Sequence, residues 1–203
     1  MSLSRETEVI FDSRRGQDYH SANPPLYDSS TFHQTVLGGN AQYDYARSGN
    51  PNRTLLEEKL ARLEGGKYAF AYASGIAAIT AVLLTLKSDD HVILPDDVYG
   101  GTFRLTEQIL NRFNIKFTTV NATNILEIKN AIQSNTKLIY VETPSNPLFK
   151  ITDIRAVARI AKQNNLLLAV DNTFMTPLGQ SPLALGADIV VHSACLLYTS
   201  DAA

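Results

Sequence analysis

From residue 53 to about 194 the chain alternates short apolar runs with segments of helical periodicity, and this rhythm constrains the fold more than any other feature. The runs KYAFAY (67–72), HVILP (91–95), KFTTV (116–120), KLIYVE (137–142), LLLAVDN (166–172) and DIVVHSA (188–194) read as strands. Between them, 54–64, 75–87, 101–113, 124–133 and 153–164 read as helices. Strands joined by helical crossovers run parallel, with right-handed connections. Parallel strands are covered on both faces, which explains runs that are apolar almost throughout rather than alternating. The expectation is an α/β domain with a mainly parallel sheet and helices on both faces. Local signals agree. Thr54-Leu55-Leu56-Glu57 reads as a capping box; Leu56, Leu60 and Leu63 follow on one helical face, and Gly65-Gly66 stops the helix. Ser74 is placed to cap the helix that begins at Gly75.

The flanks differ. Residues 1–52 are rich in Ser, Asn, Pro and Tyr and show little apolar periodicity. A long irregular segment in a compact protein is usually a functional one. Tyr19, Tyr27, Phe32, Tyr43 and Tyr45 are too apolar to sit idle in water. The segment is therefore expected to be an arm that packs on another subunit, or a functional loop. Residues 195–203, CLLYTSDAA, break the rhythm just where a loop and a further helix should follow. The expected division is an arm at 1–52, a partial large domain at 53–194, and a tail at 195–203 left by truncation.

Composition removes several classes of function. Eighteen basic against twenty acidic residues leave a formal net charge of −2. No basic excess exists to release counterions from a nucleic-acid backbone. A single cysteine, Cys195, excludes an internal disulfide framework and a multi-cysteine zinc site. The first sixteen residues lack the apolar stretch of a secretory signal, and nothing approaches the ~20 apolar residues of a membrane helix. A soluble cytoplasmic protein is expected. Asn52-Arg53-Thr54 and Asn121-Ala122-Thr123 are then chance matches to a glycosylation pattern.

In an open parallel sheet, ligands bind beyond the carboxyl ends of the strands. The residues at those ends are Ser74-Gly75-Ile76, then Asp96 to Gly101 with Tyr99, then Glu142 to Pro147 with Asn146. Asp171-Asn172-Thr173 and His192-Ser193 complete the edge. Ser74-Gly75-Ile76 opens a helix directly after a run read as a strand, so its free amides and dipole suit an anion such as phosphate, although an ordinary helix cap looks the same. Asp171 ends an apolar strand. A carboxylate there needs a cationic partner, either a structural ion pair or a ligand. Tyr99 offers an aromatic face for a flat ring or for ordinary packing. Glu142 and Asn146 fit a Pro-rich turn equally well. A lone His192 reads better as a hydrogen-bonded structural group than as a metal ligand. Nucleotide readings fail: there is no G-x-G-x-x-G, and Gly65-Gly66-Lys67-Tyr68 lacks the spacing of a P-loop.

Taken together, YDYARSGNPNRTLLEEKLARLEGG, AYASGIAAI, DDVYGGTFRL, VETPSNP, VDNTFMTPLGQSPLALGAD and IVVHSA resemble the pyridoxal-phosphate enzymes of cysteine and methionine metabolism over residues 8–194. That family includes cystathionine β-lyases, γ-synthases, γ-lyases and O-acylhomoserine sulfhydrylases. The resemblance implies the aspartate-aminotransferase fold (type I) with pyridoxal 5'-phosphate as cofactor. It implies that Ser74, Gly75 and Ile76, with the hydroxyl of Ser193, hold the phosphate, and that Tyr99 stacks on the ring and helps move protons. Asp171 would pair with the ring nitrogen, keeping the ring an electron sink. Thr173 and Asn146 would orient the ring, Asn146 near the phenolic oxygen, with Glu142 in the same cofactor set. Tyr45 and Arg47 would reach the phosphate of a neighbouring subunit, a task that suits a guanidinium fork. The implied assembly is a homo-oligomer, a dimer of dimers, and the implied substrate an amino acid such as cystathionine. The wording STFHQ, DVYGGTFR and VDNTFMTP leans toward β-elimination.

The resemblance also marks a departure. The family continues H-S-A-T-K, ending in the Schiff-base lysine, whereas here Cys195 and Leu196 follow Ala194. Leucine can neither form an imine nor carry the substrate's α-proton. The 203-residue chain is expected to be catalytically dead, so a non-catalytic relic that binds the cofactor is the reading from a different class. A nucleotide-dependent oxidoreductase is disfavoured by the missing glycine fingerprint.

Overall fold

The computed structural model describes residues 4, 6–7, 23–34, 36, 38–39 and 41–199. Tyr19 and residues 200–203 lie outside them. The chain divides into two compact units, residues 1–71 and 72–203.

In the first unit, the described residues between 23 and 50 form neither helix nor strand; an isolated antiparallel bridge joins Thr31 to Tyr45. Phe32 N donates to Asp44 O at 2.9 Å, Ala46 N donates to Ser30 O at 2.8 Å, and the Phe32 and Tyr43 rings lie 5.5 Å apart. Helix α1 spans Pro51–Glu64. Its cap is not the expected box at Thr54. Asn50 holds extended φ/ψ and accepts from Asn52 N at 2.8 Å, with proline at the first helical position, where its missing N–H costs nothing. Glu57, read as the box's acid, instead accepts from Ala71 N at 2.8 Å. Leu63 is buried, but Leu56 is exposed. Gly65 ends the helix at φ 73, and the amides of Gly65 and Gly66 return to Arg62 O and Ala61 O.

Residues 67–72 form no strand. Apolar content was the signal, but a strand exists only through a partner. No ladder pairs with this run among the described residues, and Tyr68, Phe70 and Tyr72 are exposed.

The second unit carries a five-stranded, wholly parallel sheet. Its strands are β1 (His91–Pro95), β2 (Lys116–Val120), β3 (Thr136–Glu142), β4 (Leu167–Asp171) and β5 (Ile189–Val191), in the order β2-β1-β3-β4-β5. Period-two alternation sends Val92, Leu94, Leu138, Tyr140 and Ala169 into one core cluster and Ile93, Ile139, Val141, Leu168 and Val170 into the other. The first cluster is covered by α2 (Gly75–Leu83) through Ile79 and Leu83, and by the helical stretch Gly100–Phe113 through Leu105 and Leu110. The second is covered by α4 (Ile125–Asn130) and α5 (Ile154–Gln163) through Ile128, Val157 and Ile160. Helices therefore lie on both faces, as the apolar strands require.

Two helices depart from simple periodicity. α2 ends at Leu83 rather than Lys87, because the Thr85 hydroxyl donates to Val82 O at 2.7 Å and turns the chain. The stretch 100–113 is α-helical over Gly100–Arg104 (α3), π-helical over Leu105–Ile109 and 3-10 over Leu110–Phe113. The wide turn puts Leu105 and Leu110, five apart, in the same cluster.

His91 ties the sheet together at the end opposite the site. It is buried, with Nδ1 2.8 Å from Thr136 Oγ1 on β3 and Nε2 2.9 Å from Thr118 Oγ1 on β2. Burial pushes its pKa down. The folded protein therefore keeps it neutral while the unfolded chain takes up a proton below about pH 6.5, so stability declines as pH falls through that value. In urea unfolding, the midpoint should drop further for the wild type than for His91→Gln between about pH 7.5 and about pH 5.5. Equal drops would remove His91 as a source of acid sensitivity.

Candidate active site

The strand order reverses between β1 and β3, so a crevice is expected at the carboxyl edge there. The structure has a cleft of about 170 Å³ at that edge. Its wall includes Ser74, Gly75, Ile76, Tyr99, Glu142, Asn146, Asp171, Thr173, Ser193 and Leu196. All ten were singled out from sequence. Tyr45 and Arg47 belong to the first unit, where the Arg47 guanidinium lies 4.8 Å from the centroid of the Tyr45 ring.

Each side chain reaches the cleft for a local reason. Ser74 caps α2, its hydroxyl accepting from Ala77 N at 3.2 Å, while Gly75 and Ile76 occupy the first helical positions, whose amides have no acceptor inside a helix. Gly75 must be glycine: a Cβ there would lie 2.5 Å from both Cβ and Oγ of Ser193. A side chain would fill the space between the helix start and that hydroxyl. Tyr99 precedes α3, and a side chain at Gly101 would overlap its ring.

Asp171 closes β4 and is buried. Its Oδ1 accepts from Thr173 N at 3.0 Å and from Thr173 Oγ1 at 2.6 Å; its Oδ2 accepts from Tyr140 OH at 3.1 Å. Thr173 Oγ1 accepts in turn from Ser193 N at 2.9 Å, so one chain of bonds links the acid to the anion-facing end of the cleft. Glu142 is the register partner of Asp171 on β3. It is buried too, and accepts from Tyr99 N at 2.8 Å and Asn146 N at 3.1 Å. Burial, then the negative charges of Asp171 and Asp97, push its pKa up to about 7 against the pull of those two amides. Burial likewise raises the Tyr140 phenol, with Asp171 and Glu142 adding to it, so that phenol remains a donor.

Tyr140 is the residue that sequence reading passed over. Its signal was present: a tyrosine inside a buried strand must find a partner for its hydroxyl. Phe174, Ile79, Pro144 and Cys195 also line the cleft, and Ser193 Oγ lies 3.6 Å from Cys195 Sγ. Among the described residues no group of three or more His, Cys, Asp or Glu side chains could hold a metal ion, and no helix is long and apolar enough to cross a membrane.

The arrangement has a definite chemical bias. It joins amides and a hydroxyl suited to an anion, an exposed aromatic face, and two adjacent buried carboxyls. Among the described residues these carboxyls receive hydrogen bonds from neutral groups alone. Such a pair favours a positive group in the cleft or a proton on one acid.

The profile of the family described as "Cys/Met metabolism PLP-dependent enzyme" matches residues 6–196. The chain belongs to that family. It is 86% identical over 194 residues to "Cystathionine beta-lyase MetC" of Staphylococcus haemolyticus, covering 96% of this chain and 50% of the relative. It is 48% identical to "Cystathionine gamma-lyase" of Bacillus subtilis, covering 95% and 51%. Among solved structures, cystathionine gamma-lyase from Lactobacillus plantarum complexed with L-serine superposes with a TM-score of 0.90 at 45% identity, over 95% of this chain and 51% of that one. The chain spans about half the length of the curated relatives it matches.

Membership implies pyridoxal 5'-phosphate, and the residues present fit it. The glycine-lined space beside Ser193 suits a phosphate that needs close backbone approach, and the buried acid suits a protonated ring nitrogen.

Proposed function

We propose that this chain carries the cofactor-binding part of a carbon–sulfur lyase of the cystathionine β-lyase type, which converts cystathionine and water to homocysteine, pyruvate and ammonia. The observation that carries the reading is the convergence, in one cleft, of a phosphate-sized cradle at Gly75 and Ser193 with the buried carboxyl of Asp171. The name of the 86% identical relative supports β-elimination over the γ-chemistries named for more distant ones.

In this reading the amides of Gly75 and Ile76, with the hydroxyls of Ser74 and Ser193, bind the phosphate. Asp171 holds a proton on the ring nitrogen, its geometry fixed by Thr173 and Tyr140. Tyr99 covers one ring face; Asn146 and Thr173 set the ring's orientation. Tyr45 and Arg47 serve the phosphate of a second copy, with residues 1–52 as the arm and 53–194 as the cofactor domain of a cytoplasmic homo-oligomer. When bound, the cofactor supplies the electron sink that makes the α-C–H bond of an amino acid acidic and its Cβ–S bond breakable.

Leu196 favours a second statement about the chain itself: it binds the cofactor without turning over. Leu196 stands in the cleft wall at the position where the family pattern has lysine, and it has no nitrogen to carry a proton. The purified 203-residue chain should release neither pyruvate nor thiol from cystathionine above background. A chimera placing residues 1–194 in the corresponding part of the S. haemolyticus relative should release pyruvate and homocysteine in equal amounts. Release of 2-oxobutyrate and cysteine instead would move the protein to γ-elimination, and turnover by the 203-residue chain alone would overturn its assignment as inactive.

A further inference from the structure

We propose that Glu142 is a positioning residue whose carboxylate clips the loop after β1 to the loop after β3, and so presents Tyr99 and Asn146 to one cleft. The inference rests on the cofactor reading given above and extends it to a residue that touches backbone rather than ligand. The observation is the division of labour between the two carboxylate oxygens. Oε2 accepts from the amide of Tyr99 and Oε1 from the amide of Asn146. The two amides are 47 residues apart in sequence and lie on opposite sides of the strand-order reversal. No other residue type spans both donors. Glutamine has one acceptor oxygen, and its amide nitrogen would face an N–H. Aspartate from the same Cα is one methylene short.

A purely structural acid would not need this place. The same loops are already tied on their outer side by Lys150 Nζ to Asp96 at 2.9 Å and by the Ser145 hydroxyl to Asp97. Glu142 sits instead under the cleft, beside Asp171, where burial and like charge disfavour its ionised form. A carboxylate kept at such a site is doing something its neighbours cannot. Protonation would turn one oxygen into a donor and release one of the two amides, so the clip loosens as pH falls through about 7. The groups facing it are Tyr140 and Asp171 within the sheet and Asp97 across the crevice, with Lys150 4.0 Å from Asp97. All are unchanged in a Glu142→Gln variant, so comparison with the wild type isolates Glu142.

The test uses the 203-residue chain and pyridoxal 5'-phosphate, with affinity from equilibrium dialysis and amide hydrogen exchange read residue by residue. Glu142→Gln should weaken binding about tenfold and speed exchange at Tyr99 or Asn146 by a similar factor, with the melting temperature near that of the wild type. Wild-type affinity should fall more steeply than that of the variant below about pH 7. Unchanged exchange at both amides overturns the clip. So does a uniform rise across β3 and β4 with a lowered melting temperature, which is what a merely structural acid would give. If the variant does not fold, the wild type decides: protection at Tyr99 or Asn146 must drop below about pH 7 relative to Val141, and a parallel response overturns the proposal. A wild-type chain that binds no cofactor defeats the functional reading, and the exchange data still decide the clip.

Discussion

Asp171→Asn should lower the affinity of the chain for pyridoxal 5'-phosphate about a hundredfold, on the order of 3 kcal/mol, while leaving the fold intact. Asparagine keeps the shape and the Oδ1 acceptor for Thr173 N and Oγ1, and the Tyr140 hydroxyl can turn from donor to acceptor. Only the charge is lost. In a buried site that loss is large, because a ring N–H⁺ facing a neutral amide is uncompensated in low dielectric. The substitution also has an opposite effect on the empty chain. Asp171 is one of the charges holding Glu142 high, so its removal should lower the pH at which Glu142 titrates and leave the melting temperature equal or higher. Equilibrium dialysis and a thermal melt measure both. An affinity within about twofold of the wild type would mean that Asp171 does not face the ring nitrogen, and the cofactor assignment would lose its main physical support. A large loss of melting temperature would instead make Asp171 a structural acid.

The fold was legible where burial on both faces left only one arrangement. HVILP matches β1 residue for residue, since a fully buried apolar run bounded by turn-formers has one register; KFTTV matches β2 as well, although it is an edge strand with Lys116 and Thr119 exposed, because its β-branched and aromatic residues are bounded by asparagines. The cap at Ser74 and the stop at Gly65 were legible because caps depend on short-range bonds. Features that depend on distant partners were not. KYAFAY has strand composition but no ladder, and Thr54 has cap chemistry but lost the position to Asn50, whose proline follower is pre-set for a helix start. The same division runs through the site. Strand ends and a helix start could place Asp171, Gly75 and Ser193 at one sheet edge, and the family resemblance implied that Gly75 and Ser193 share one anion. Tyr140 under Asp171, and Glu142 spanning two amides 47 residues apart in sequence, could not, because nothing local marks which donors a buried carboxyl will meet.

Leu196→Lys, made together with Cys195→Thr to match the family pattern, should convert reversible cofactor binding into covalent capture. Leu196 already lines the cleft with Tyr99, Asp171 and Ser193, from the start of the short helix Ala194–Thr199, so a lysine there extends along a wall shared with the ring-facing groups. Two forces act on its amine. The carboxyls of Asp171 and Glu142 favour the ammonium form, whereas the apolar wall of Ile79 and Phe174 favours the neutral amine that attacks an aldehyde. The Lys variant should therefore bind its aldehyde increasingly well as pH rises, while the wild type shows no such gain. After borohydride treatment, peptide mapping should find residue 196 labelled about tenfold above any other lysine, and dialysis of the untreated variant should retain the cofactor that the wild type loses. Asp171→Asn in that background should reduce the labelling, because the aldehyde would no longer be held at the amine. Labelling spread evenly over Lys59, Lys87 and the other surface lysines would show that residue 196 does not face the bound ring.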